Sequence, residues 1–524
     1  MIVEWVKKNL RPIIFYIIFF LFILAYSLTA NAYDYDLWAR LIAGMGFVQT
    51  GHVLKHDFLS YTPTHTWYDH EWGSGVIFYL TQHYFSHIGL LFLQVIVLFL
   101  IFFTIIQIIK LRGVKTTTPY NFVFHFLALA AITQIIDQPI RCQIFSFLFF
   151  TVFLYLLERA RMGVGKKYEL IISLPLIMLI WNNLHGGCVS GIGLIIIYII
   201  GEFINRKPVK KYIVPLLLTI FVLPINPWGF KYLTFLIMAA TMKRPDILEW
   251  FDLFIPMYND VFTEFKFFAS VMILGEIGYI IKAIRSKIFV FDVTKFLVVI
   301  ITLILAVQHI KHIPFAVIAM SAFLYDDIYT IFNLATGDIF NKVAKYKEFI
   351  VYGCALIFIF TNIKVKNFEP FLEWNKYPIR IIEFIKINEI KGKLFINFGQ
   401  GSFASYKLYP QNKIYMDGRY EEVYYNEMLP IMRKFFLMQK GWDELFYRFP
   451  PDLMVIEKSY PAHAALMSAP AWKRIFEDNN FSLFVRTETA KKEYKQPSIF
   501  LEHYQKTLFD TDINFMLKSK HEQK

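Results

Sequence analysis

The stretch VKKNLRPIIFYIIFFLFILAYSLTANAYDYDLW (Val6–Trp38) sets the reading of the whole chain. Lys7, Lys8 and Arg11 precede an apolar run over 12–30, and an acid pair, Asp34 and Asp36, follows it. A run of that length reaches across the roughly 30 Å of a bilayer's hydrocarbon. Ala30-Asn31-Ala32 also has the A-x-A form of a signal-peptidase site, but the run before it exceeds the usual length of a signal's apolar core. The run therefore reads as an uncleaved anchor, and either outcome leaves Asp34 and Asp36 outside.

Outward from this run, similar ones recur at 87–109, 117–136, 143–157, 168–181, 188–204, 212–225, 267–281, 289–308, 313–334 and 348–362, which makes eleven expected spans. The composition agrees: of 524 residues, 56% are hydrophobic and 19% aromatic, and only 18% are charged. Soluble chains carry about 25% charged residues, so lipid is the expected cover for this excess. The weakest part of the count is 212–225, interrupted by Pro215 and Pro224, together with the short piece 230–241, which reads as re-entrant.

The net charge of +13 raises nucleic acid as a partner, but its distribution argues otherwise. Basic residues gather in every second connection: Lys110, Arg112 and Lys115; Arg159, Arg161, Lys166 and Lys167; Arg206, Lys207, Lys210 and Lys211; Lys282, Arg285 and Lys287; Lys342, Lys345 and Lys347. The alternate loops hold far fewer. This bias is the positive-inside pattern. It places the N-terminus in the cytoplasm and, with an odd span count, everything after 362 outside. Cys142, Cys188 and Cys354 lie far apart with no CxxC spacing, which excludes a disulfide scaffold or a zinc ribbon.

The expected fold is thus an α-helical polytopic membrane protein of about eleven transmembrane helices over 1–362, followed by an extracytoplasmic α/β domain over 363–524. In that domain Leu394–Phe398, Lys413–Met416, Leu453–Ile456 and Phe481–Val485 read as strands, with helices near 402–408, 421–437 and 460–468.

The first outer loop, 31–86, concentrates chemistry. It holds the acids Asp34, Asp36, Asp57, Asp69 and Glu71 and five histidines, 52, 56, 65, 70 and 83. Leu37, Trp38, Leu41, Ile42, Met45 and Val48 recur at helical spacing, as in a helix lying flat in the membrane interface. Asp36 is placed to cap that helix, the alternative to a catalytic role. The histidines show no HExxH or similar spacing for a catalytic zinc.

The segment D-x-D-L-W after the first span, followed by Gly51, D-F-x-S-Y-T (57–62) and W-x-x-H-E-W (67–72), resembles the first outer loop of a group of bacterial membrane glycosyltransferases in the GT-C superfamily. Asp417-Gly418-Arg419, after a glycine-rich turn and a Tyr-Pro, resembles the same group's outer domain. The group's pattern has a second Trp and a His after Trp38, where this chain has Ala39 and Arg40. The resemblance implies an inverting transfer of a sugar from a polyprenyl-phosphate carrier to an envelope glycan, lipid or protein at the outer face of the cytoplasmic membrane. A phosphate leaving group departs without an acid, so such a site needs a carboxylate base and cations on the phosphate.

Asp34 or Asp36 is the candidate base, and both are candidate ligands if Mg²⁺ or Mn²⁺ is used. Arg141, Lys243, Arg244, Lys311 and His312 are the candidate phosphate cations. Arg141 follows Asp137-Gln138-Pro139 at a span mouth, where its alternative is a snorkelling role. Asp57, His70, Glu71, Asn182, His185, Asp417 and Arg419 are candidates to bind acceptor or line the cavity, with tight turns and structural pairs as their alternatives. Two rival functions stand beside this: a transporter or flippase of lipid-linked glycans, and a non-catalytic assembly subunit.

Overall fold

The computed structural model describes residues 2–30, 33–114, 119–134, 140–166, 168–245, 247–287, 289–331, 346–365, 376–497, 507–513 and 515. Asn31 and Ala32 of the A-x-A site, Lys115, Asp137-Gln138-Pro139, Lys167, Lys342, Lys345 and most of the tail beyond 505 lie outside these residues. The chain divides into two compact units, residues 1–31 with 85–370 and residues 32–84 with 371–524.

The first unit is helical. Each apolar run expected to span carries a helix: Ile2–Ser27, the part of Trp72–Leu111 beyond a break at Ser86 (φ 56°), Pro119–Thr133, Gln143–Arg161, Glu169–Leu184, Val189–Ile204, Lys210–Phe221, Thr263–Arg285, Val293–Gln308, Ile313–Phe323 and Lys347–Val365. Among the described residues, five helices are long and apolar enough to cross a membrane, six if the bent pair Ile310–Phe323 and Tyr325–Ile331 counts as one span. Several others have only 10–17 residues. At about 1.5 Å per residue the 16 residues of Glu169–Leu184 rise about 24 Å, short of the hydrocarbon thickness. Lys231–Thr241, read as re-entrant, is one of these short apolar helices.

Ion pairs cross-link the helix ends of this unit. Arg161 Nε and Nη2 reach Glu202 (2.8 Å) and Asp292 (2.6 Å), and Arg112 Nη2 reaches Glu158 at 3.3 Å. The Tyr198 hydroxyl donates to Glu158 (2.7 Å), and Lys295 pairs with Glu276 at 2.8 Å. Part of the basic charge that reads as an orientation signal therefore also joins helices.

The second unit is α/β. Strands β1 (Gly392–Phe395), β2 (Asn412–Ile414), β3 (Leu453–Glu457), β4 (Trp472–Glu477) and β5 (Phe481–Arg486) form one sheet in the order β2-β1-β3-β5-β4. β1 runs parallel to β2 and β3, whereas β5 is antiparallel to β3 and β4. Four strands and the helices at Phe398–Leu408 and Pro461–Ser468 match the expected pattern, and the expected helix over 421–437 is split into Tyr420–Val423 and Met428–Phe436. The added elements are helix Ile379–Ile387 and edge strand β4, whose charged outer residues mask its alternation.

The loop expected in the membrane domain groups instead with the second unit, as residues 32–84. Its backbone extends the sheet edge: Tyr61 N–H donates to Ile414 O (2.9 Å), and Ile414 N–H donates to Leu59 O (2.9 Å). Further along, His65 N–H donates to Val423 O (3.0 Å) and Tyr68 N–H to Glu422 O (3.0 Å). The added segment gives the Ile414 N–H and C=O on the β2 edge their partners, which an open edge would leave exposed.

Helix Tyr35–Thr50 is likewise not the flat interfacial helix its spacing suggests. Every residue from Leu37 to Gly46 is buried, Arg40 included. An interfacial helix keeps one polar face in water. Here the Trp38 indole N–H donates to the Tyr377 hydroxyl (3.2 Å), and its ring packs on Phe403 and Tyr406 (centroids 5.0 and 5.3 Å). Gly44 permits the crossing with helix Trp72–Leu111, because a Cβ there would stand 2.0 Å from Gly75 O.

Candidate functional site

Asp34, not Asp36, caps helix Tyr35–Thr50: it holds extended backbone (φ −79°, ψ 149°), and its Oδ1 accepts the Asp36 N–H at 2.8 Å. Asp34 is buried and Asp36 is partly exposed in the first turn. Asp36 Oδ1 lies against Gly418, where an added Cβ would stand 2.6 Å away. The two motifs quoted from opposite ends of the chain, D-x-D and D-G-R, therefore meet inside one unit, where a Cβ at 418 would displace the Asp36 carboxylate.

The flanking D-G-R residues are sealed inside. Arg419 Nε donates to Asp417 Oδ1 (2.9 Å), Nη1 to Asp57 Oδ1 (2.7 Å) and Nη2 to the Tyr424 hydroxyl (3.1 Å). Its guanidinium lies 4.6 Å from the centre of the Trp67 ring. The side chains of Arg419, Asp57 and Asp417 are 0%, 1% and 0% exposed. Burial alone would raise the Asp57 carboxyl, but Arg419, Ser60 and the Leu59 N–H hold it below its ordinary value of 3.8. Burial alone would lower Arg419, and Asp417 and Asp57 hold it well above its usual range instead. Asp57, Asp417 and Arg419, candidates for acceptor contact, form a buried structural ion cluster.

This cluster makes the second unit acid-sensitive. The folded Asp57 binds its proton less readily than the unfolded one, so its contribution is full at neutral pH and lost as pH falls through the folded value, below about 4. Hydrogen exchange of peptides covering 412–424, corrected for intrinsic rate, should show protection at pH 7 that declines as the pH is lowered beneath the ordinary carboxylate range. Equal protection across that change would contradict the assignment.

Beside it, Arg40 pairs with Asp69 (2.5 Å), Glu422 (2.9 Å) and Glu71 (3.5 Å). His70 stands 3.1 Å from Glu422 Oε1 and 3.6 Å from Glu71 Oε1. Burial raises the Asp69 carboxyl, with Glu422 and Glu71 adding to the rise and Arg40 opposing it. Burial alone would raise Glu422 too, but Arg40 and His70 draw it down. Arg40, which departs from the group's His, is thus the hub of a buried network, and sequence reasoning missed both this role and Glu422.

In the first unit the candidate cations converge on Trp250, which no sequence signal singled out. The Arg244 guanidinium lies 4.3 Å and Lys311 Nζ 3.2 Å from its ring centre. Cation–π attraction holds such charges at about 0.5–2 kcal/mol each. Arg244 also donates to Ala239 O (2.8 Å) and Met242 O (3.2 Å) at the end of helix Lys231–Thr241. His309 Nδ1 is 2.7 Å from Trp250 O, and the His312 ring is 6.4 Å from the indole. Arg141 pairs with neighbouring Glu249, whereas Lys243 is exposed.

Asn182 is buried and donates to Leu223 O (3.0 Å), while His185 Nδ1 accepts the Gly187 N–H (3.1 Å). Both hold turns of the first unit. Among the described residues, no third His, Cys, Asp or Glu converges with Asp34 and Asp36; the converging group is His70, Glu71 and Glu422. Compared with known proteins, the chain matches no protein-family model and no curated protein.

Proposed function

We propose that this chain is an inverting glycosyltransferase of the GT-C type that moves a sugar from a polyprenyl-phosphate carrier to a cell-envelope acceptor at the outer face of a bacterial cytoplasmic membrane. The observation that carries the reading is the contact between Asp36 and Gly418, which joins the two resembling motifs around a partly exposed carboxylate. In this reading the N-terminus is cytoplasmic and the second unit lies outside.

Asp36 is the base. The acceptor hydroxyl gives its proton to the Asp36 carboxylate as its oxygen bonds to the sugar's anomeric carbon. The bond from that carbon to the phosphate oxygen breaks, and polyprenyl phosphate leaves with the electron pair. Asp34 positions Asp36 through the backbone cap. In this reading Asp36 acts through proton chemistry and Asp34 through positioning, and the same two carboxylates are the ones that would hold Mg²⁺ or Mn²⁺ if the transfer uses it. Within the first unit, Arg244 and Lys311, gathered on Trp250, are the cations proposed for the donor phosphate, with Arg141 as a further candidate. His312, whose pKa burial, Lys311 and His309 lower to about 3, is neutral and offers the phosphate a hydrogen bond only. Asp57, Asp417 and Arg419 keep the Gly418 turn in place.

The test is transfer by the full chain in proteoliposomes holding polyprenyl-phosphate sugars. A charge-assisted contact is worth about 1.5–3 kcal/mol, so Lys311→Met should raise the donor KM by roughly 10- to 100-fold while changing kcat little. An unchanged KM would remove the Trp250 cluster from donor binding. Full activity in Asp36→Asn would overturn its assignment as base, and full activity in Asp34→Asn as well would overturn the acid pair as the site.

A further inference from the structure

We propose that His70, Glu71 and Glu422 bind one divalent transition ion, of which Zn²⁺ is the best match. One ligand atom from each lies within 4.8 Å of the others. An imidazole nitrogen with two carboxylate oxygens is a donor set that suits Zn²⁺ and its first-row neighbours, whereas Mg²⁺ and Ca²⁺ favour oxygen alone.

The surroundings fit such an ion. Glu422 Oε2 is held by Arg40 Nη2 (2.9 Å) and by the Trp67 indole N–H (3.0 Å), which leaves Oε1 toward His70. Glu71 repeats the arrangement, with Oε2 3.5 Å from Arg40 and Oε1 3.6 Å from His70. Each ligand carboxylate thus has one oxygen on the Arg40 side and the other toward the His70 ring, Glu422 at Nδ1 and Glu71 at Nε2, so an ion would take one ring nitrogen and draw the second carboxylate to it.

Charge gives the second, independent argument. With their carboxyls ionised, Asp69, Glu71 and Glu422 together with Arg40 sum to −2. The side chains of Asp69, Glu71, Glu422, Arg40 and His70 are only 1%, 15%, 6%, 5% and 16% exposed. Carboxylates crowded together in so dry a place favour a further cation among them. A dication closes the sum to zero, and a proton on His70 closes only half of it. The ion would tie the first loop, through His70 and Glu71, to the helix that follows D-G-R, through Glu422. Three protein ligands leave one position of a tetrahedral ion for water.

The test uses the untagged full chain in detergent, stripped with a chelator, dialysed and titrated with ZnCl₂ alone. It needs no donor or acceptor, so its result is independent of the transferase reading. Saturable binding at one ion per chain is expected, together with a rise in melting midpoint. His70→Gln and, separately, Glu71→Gln should weaken Zn²⁺ binding at least 100-fold and lose that rise. Both leave the Arg40 pairs with Asp69 and Glu422 in place, and their metal-free melting reports whether they fold. Absence of saturable binding, or wild-type affinity in both folded variants, would overturn the site. A midpoint that follows the protonation of His70 and ignores Zn²⁺ would also overturn it, assigning the charge balance to a proton.

Discussion

Asp36→Asn is expected to lower the rate of sugar transfer by roughly 10²- to 10⁴-fold, the range a positioned general base contributes. The amide keeps the shape of the carboxylate but cannot take the acceptor's proton, so the loss should fall on kcat. Donor KM should hold, because the substitution leaves the size and shape of the side chain unchanged. Gly418→Ala is the companion variant: its new Cβ falls 2.6 Å from Asp36 Oδ1 and must push the carboxylate aside. It should lower kcat without removing the base. Asp34→Asn keeps an oxygen for the Asp36 N–H and should have the smaller effect. If Asp36→Asn retains wild-type kcat, Asp36 is not the base.

Arg419→Met should destabilise the second unit by about 3–5 kcal/mol, the usual consequence of removing one partner from a buried ion pair. It strands Asp57 and Asp417, whose side chains are 1% and 0% exposed. The effect should appear as early melting and rapid proteolysis between 371 and 497. Adding Asp57→Asn should recover part of the loss, since one buried uncompensated charge is then gone. A single Arg419→Met variant that melts like wild type would show that the D-G-R arginine is not structural and would reopen acceptor binding.

The contrast between these two variants follows from what could and could not be read along the chain. Apolar runs such as 12–30 and 143–157 announce their helices because length and composition are local properties. The count of membrane spans does not follow from them, since a 16-residue helix such as Glu169–Leu184 is apolar yet shorter than the bilayer core. Helix Tyr35–Thr50 has the periodicity of an interfacial helix, and periodicity alone does not say whether lipid or protein covers it. Its cover comes from Tyr377, Phe403 and Tyr406, over 300 residues away.

The site shows the same division. Asp34, Asp36 and Asp417-Gly418-Arg419 were legible as motifs, but their meeting was not, because no local pattern marks 59–68 as a segment that pairs with the β2 edge and the turn after it. The cations Arg244 and Lys311 were legible as rare outer charges. Trp250, around which they gather, was one aromatic among many, and only the fold distinguishes it. Arg40 stood out as a departure from the group's pattern, and its partners Asp69, Glu71 and Glu422 give that departure a physical reason.

The central claim is transfer of a lipid-linked sugar with Asp36 as base, and the lipid and glycan profile of a strain lacking the gene tests it most directly. The expected profile lacks one envelope sugar and accumulates the matching polyprenyl-phosphate sugar, and it is restored by the wild-type gene but not by Asp36→Asn. An unchanged profile, or full restoration by Asp36→Asn, would contradict the claim.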